Sequence, residues 1–97
     1  MVALIARYKV KPNETQQVIQ LLQQMQAKIK EFEPACQIFR VHRPTDHSDV
    51  LVLYEVYTDI EAMEAHRGTD HYRNIIEGQV APLLEGRERE VLDLVID

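Results

Sequence analysis

Apolar and polar residues alternate from Val2 to Val10, with Val2, Leu4, Ala6, Tyr8 and Val10 on one face. That period of two predicts a strand. Its opposite face opens apolar, with Ala3 and Ile5, then turns polar at Arg7 and Lys9. After Pro12 the period changes. Val18, Leu21, Leu22, Met25, Ile29 and Phe32 recur at steps of three and four, the single apolar stripe of an amphipathic helix. Asn13 reads as its N-cap with Glu14 in the first turn, and Pro34 ends it.

Cys36 to Arg43 reads as a second strand and Val50 to Tyr57 as a third. The polar turn cluster Pro44–Asp49 joins them into a predicted antiparallel hairpin. Thr58-Asp-Ile-Glu61 has the spacing of a capping box, with Thr58 as cap, and predicts a short helix to about His66. Gly68 breaks that helix. Thr69 can cap a second short one carrying Tyr72, Ile75 and Ile76. Beyond Pro82 and Gly86, Val91 to Ile96 reads as the fourth strand. The order β-α-β-β-α-β predicts an α+β, ferredoxin-like domain over residues 1–97, with a four-stranded antiparallel sheet and both helical layers on one face.

The strands are too apolar for that arrangement alone. Val50, Val52, Tyr54 and Val56 share one face of the third strand, and Leu51 and Leu53 share the other. The fourth predicted strand repeats the feature, with Leu92, Leu94 and Ile96 opposite Val91 and Val95. Helices cover only one face of such a sheet, so a second copy of the chain is the simplest cover for the other. A homodimer is therefore expected.

The formal charge of −5 argues against nucleic acid and anionic membrane surfaces as partners. Cys36 is the sole cysteine, so no internal disulfide and no Cys-x-x-Cys site can form. No leader pattern or membrane-length apolar run is present, which makes the cytoplasm the default compartment.

Reactive side chains concentrate in Glu64-Ala-His66-Arg-Gly-Thr69-Asp-His71-Tyr72. His66 can be aimed at the sheet from the helix that carries Ile60 and Met63, and an imidazole titrates near neutrality. It is the general-base candidate, although an isolated histidine more often only packs or caps. Tyr72 and Tyr54 are expected to approach the same space, with His71 as an auxiliary. His66 and His71 lie five residues apart, which separates them on a continuous helix, and no third ligand is evident; no metal and no cofactor are expected. His42 and His47 read as surface residues and Cys36 as a small buried filler. Phosphate-loop and nucleophile-elbow motifs are absent.

Leu53-Tyr-Glu-Val-Tyr-Thr-Asp59, followed by Ala62, His66, Thr69 and His71-Tyr72, resembles the signature of the antibiotic biosynthesis monooxygenase domain family. The opening strand and long helix fit it as well. The resemblance implies a dimeric α/β barrel, two sheets face to face, with a pocket in each subunit between sheet and helices. It also implies chemistry without metal, flavin or haem. Members include quinol and anthrone monooxygenases and an enzyme that processes a phosphorylated autoinducer, whose helical segment is similar to Ala62–Tyr72. The related haem-degrading branch carries a tryptophan near the position of His66; this chain has none.

Three functions remain in view. The first is a cofactor-independent monooxygenase acting on a small quinol or phenol, with His66 as base or anchor, Tyr72 and Tyr54 as hydrogen-bond partners and His71 assisting. The second is an isomerase or tautomerase acting on a small carbonyl compound, phosphorylated or not; for a phosphorylated one, Arg7, Arg40 or Arg67 could meet the charge. The third is a non-catalytic small-ligand-binding module.

Overall fold

The computed structural model describes all 97 residues. Strand β1 (Val2–Val10) is central and pairs antiparallel with β3 (Val50–Tyr57) on one side and β4 (Leu84–Asp93) on the other; β2 (Cys36–His42) closes the far edge. The sheet order is β2-β3-β1-β4. Helices α1 (Thr15–Phe32) and α2 (Ile60–His66), a π-helix (Tyr72–Val80) and a 3-10 turn (Ala81–Leu83) link the strands. The ferredoxin-like order anticipated from the sequence is the order observed.

The alternation in β1 decides which face is the core. Val2, Leu4, Ala6, Tyr8 and Val10 are all buried, as are Leu51, Leu53, Glu55 and Tyr57 of β3. Ala6, Tyr8, Val10, Leu51 and Leu53 meet the α1 stripe of Val18, Leu21, Leu22, Met25 and Ile29, and Ile75, Ile76 and Val80 of the π-helix, while Val2, Leu4 and Tyr57 form a second cluster with Met63 of α2. Each such side chain is worth roughly 1.5–3 kcal/mol when taken out of water.

Several local expectations shift. The fourth strand begins at Leu84 rather than Val91 and ends at Asp93, so Leu94, Val95 and Ile96 lie beyond it. Leu84–Glu90 reads as polar because β4 is an edge strand, largely exposed, whose ladder comes from β1 alone. Asn13 does not cap α1. It adopts a positive φ of 71° in the preceding turn, a conformation asparagine tolerates better than most residues. Thr15 Oγ1 donates to Asp49 Oδ1 at 3.0 Å, which ties the helix start to the β2–β3 turn. The second helix is capped by Asp59, one residue past Thr58: its carboxylate accepts from the Ala62 N–H at 2.8 Å. No helix is long and apolar enough to cross a membrane.

Candidate functional site

Pro34 shapes the site from the backbone outward. It pushes the residue ahead of it out of the helical region, so α1 stops and Glu33 takes φ −126° and ψ 72°. From there the Glu33 carboxylate reaches two histidines. His66 Nδ1 lies 2.8 and 2.9 Å from its two oxygens, and His71 Nε2 lies 2.6 Å from Oε2.

Those histidines should not meet on a regular helix. Five α-helical steps rotate a side chain by about 500°, leaving the pair roughly 140° apart. The turn at Gly68-Thr69 removes the difficulty. Thr69 Oγ1 donates to the His66 carbonyl at 2.8 Å and accepts from the Tyr72 N–H at 3.2 Å. The chain is thus clamped between the end of α2 and the start of the next helical segment, where Thr69 caps as anticipated. Tyr72 opens the π-helix, and its ring meets His66 edge-on at 5.1 Å. In that segment Ile75 and Val80, five residues apart, are both buried, as suits a helix whose hydrogen bonds span five residues.

The hydrogen-bond pattern assigns the protons. Burial pushes the Glu33 carboxyl upward, but hydrogen bonds from His66 and His71 outweigh it and hold the group below the usual carboxylate range. An ionised carboxylate only accepts. Both facing nitrogens therefore carry hydrogen, and in the neutral His66 ring the lone pair sits on Nε2. That atom lies 3.8 Å from Glu55 Oε1, on the side where His66 and Glu55 line a cavity of about 210 Å³. Leu4, Ala6, Tyr8, Met63 and Tyr72 also line it, and Arg67, Arg87 and Arg89 are among its remaining wall residues.

Glu55 is 3% exposed and accepts a hydrogen bond from Tyr57 Oη at 2.6 Å. Burial raises its pKa despite that bond. Burial likewise raises the phenols of Tyr8 and Tyr72, so both stay protonated as donors. Cys36 Sγ donates to the Ile38 carbonyl, and burial raises its thiol to about 11; no activated nucleophile is present there.

Of the four residues singled out from the sequence, His66, Tyr72 and His71 come together. Tyr54 does not. It leaves β3 on the opposite sheet face, beside Ala3, Ile38, Val56 and Leu92. Strand alternation explains the separation, because Leu53 and Glu55 on either side point to the helices. Arg7 and Arg40 also belong to that outer face, through their pairing with Val52 and Tyr54. Glu33, Glu55, Tyr57, Tyr8, Arg87 and Arg89 were not anticipated. Glu55 had a visible signal: it is the one charged position in the inward series Leu51, Leu53, Glu55, Tyr57.

Glu33 also supplies the third donor that the sequence did not reveal: Glu33, His66 and His71 each offer an atom, all within 4.8 Å of one another. As arranged, carboxylate and rings stand in hydrogen-bond contact. Tetrahedral zinc, with bonds of about 2.0–2.2 Å, holds its donors about 3.3–3.6 Å apart. The trio would have to open to take an ion.

The sequence model of the family described as "Antibiotic biosynthesis monooxygenase" matches residues 1–78. Among solved structures, Rv0793 from Mycobacterium tuberculosis is 31% identical with a TM-score of 0.88, over 99% of this chain and 96% of that one. A candidate antibiotic biosynthesis monooxygenase from Caulobacter crescentus is 26% identical with a TM-score of 0.91, over 98% and 90%. A conserved protein from Methanosarcina mazei, 20% identical with a TM-score of 0.85 over 93% and 88%, shares the fold. No curated protein matches the sequence.

Proposed function

We propose, from the premise that the chain belongs to the antibiotic biosynthesis monooxygenase family, that it oxidises a small phenol or quinol with molecular oxygen and without a cofactor. The observation that carries this reading is the polarity of the His66 ring. One nitrogen is tied to the Glu33 carboxylate, and the other lies on the side of a cavity with an apolar floor of Leu4, Ala6 and Met63.

In this reading His66 Nε2 takes the phenolic proton as general base. Glu33 holds the tautomer and balances the imidazolium. Tyr8 or Tyr72 donates to the phenolate oxygen where charge accumulates. The electron-rich ring then gives one electron to oxygen, and the radical pair joins through a new carbon–oxygen bond as a hydroperoxide. Loss of the ring proton breaks the O–O bond, leaving a quinone and water. The substrate supplies both electrons for the water formed, so no further reductant enters. His71 acts through Glu33 and does not line the cavity.

Metal-free protein should consume oxygen above the buffer rate when given quinols, and His66→Ala should lower that rate by about 10²–10⁴-fold. A pure, folded sample that consumes none across several quinols overturns the proposal. The same base and donors could move a proton beside a carbonyl group; turnover under nitrogen would select that isomerase reading. We read the working unit as a homodimer.

A further inference from the structure

We infer that the substrate carries an oxyanion substituent, a carboxylate or phosphate, which Arg67 and Arg89 hold at the cavity wall while its phenolic end reaches His66. The inference rests on the preceding reading of His66 and specifies the substrate class for that site.

Charge distribution is the first argument. The chain has a formal charge of −5, yet three of its seven arginines line this one cavity. The three are not equivalent. Arg87 is already held by Glu77, with both guanidinium nitrogens on the carboxylate at 3.1 and 3.2 Å. Neither Arg67 nor Arg89 takes part in an ion pair. A guanidinium without an acid partner, beside a cavity, presents a planar fork suited to an oxyanion.

Placement is the second. Arg89 pairs with Ala6 across the β1–β4 ladder, so its side chain leaves the sheet on the helix-covered face. Arg67 follows His66 directly at the end of α2. One arginine therefore comes from the sheet and the other from the helical layer, on two walls of one space. The acids on the lining set do not cancel them. Glu88 pairs with Arg7 and projects from the outer sheet face, while burial favours the neutral form of Glu55.

The test is binding under nitrogen, which keeps oxygenation out of the readout. Calorimetric titrations compare 5-hydroxy-1-naphthoate and 5-hydroxy-1-naphthyl phosphate with neutral 1-naphthol. At least one anionic probe should bind about tenfold tighter than 1-naphthol, the size expected of a charged hydrogen bond, and the advantage should shrink with added salt. In the Arg67→Gln/Arg89→Gln protein the advantage should vanish while 1-naphthol binding persists, which also shows that the cavity remains folded. Whichever anion keeps the larger advantage names the group. Equal affinities, or an advantage that survives the double substitution, overturn the inference. Arginine-dependent binding with no oxygen uptake when air is admitted leaves it standing and removes the monooxygenase reading instead.

Discussion

Glu33 and Glu55 face the same imidazole ring from two sides and respond oppositely to pH. Glu33 has a folded pKa below its ordinary 4.5. It therefore contributes stability above that value and loses it as pH falls through the folded pKa. Glu55 has a folded pKa above 4.5, so its contribution is complete at low pH and is lost as pH rises through the folded pKa. Glu33→Gln should cost about 1–3 kcal/mol at neutral pH by removing the charged acceptor of two ring N–H groups, and should flatten the stability curve below pH 4.5. Glu55→Gln should raise stability at neutral pH, because the amide oxygen still accepts from Tyr57 without a buried charge, and should flatten the curve above 4.5. Chemical denaturation from pH 3 to 8 checks both; parallel curves for the two variants would refute the assignment. This contrast marks what the sequence could disclose of the site. Glu55 interrupts an apolar series and is legible by its period. Glu33 follows the apolar stripe in a non-helical bend, 33 residues before His66, and nothing local announces its partners.

Thr69 shows how an element can depend on one hydroxyl. It closes the end of α2 and opens the next helical segment, bonding to the His66 carbonyl and the Tyr72 N–H. Thr69→Ala removes both contacts and should cost about 0.5–2 kcal/mol, as loss of a cap does, equivalent to a Tm drop of about 4–8 °C per kcal/mol. Thr69→Ser should restore most of it. Because the turn sets His66 against His71, Thr69→Ala should also lower kcat more than its stability cost explains; unchanged kcat would leave the turn a purely structural role. At this scale the sequence was most readable where one period persists, in β1 and α1. It was least readable in β4, where charged residues alternate along an exposed edge and only a partner strand reveals the pairing. The helical stripe rule likewise gave no hint of a π-helix, whose five-residue spacing of Ile75 and Val80 looks irregular on an α-helical wheel.

The whole molecule leaves one sheet face without helices, and the rows on that face suit a second copy of the chain as its cover. Across the sheet, Ile38, Val56, Ala3 and Leu92 form one row, and Arg40, Tyr54, Ile5 and Glu90 the next. The first is apolar throughout. The second is apolar in the middle, basic at the β2 edge and acidic at the β4 edge. Beyond the rows, Val95 and Ile96 are 86% and 87% exposed, an apolar tail that contact with another chain would shelter. A two-fold axis along the strands, between two facing sheets, sets the β2 edge of one copy over the β4 edge of the other. Apolar rows then meet apolar rows and Arg40 faces Glu90 of its mate, twice per dimer, the self-complementarity an isologous interface requires. Sedimentation at micromolar concentration should give a dimer. Ile5→Asp, which places a charge in the middle of the second row without touching the helix-side core, should give a monomer with unchanged far-ultraviolet dichroism. Arg40→Glu and Glu90→Arg should each weaken association severalfold, since exposed pairs are worth about 0.2–1 kcal/mol apiece. Their combination should recover it, because reversing both charges restores the pairing that either change alone destroys. A wild-type chain that sediments as a compact monomer would refute the pairing, and a charge-swapped pair no better than its parents would refute this axis while leaving the apolar rows as the contact.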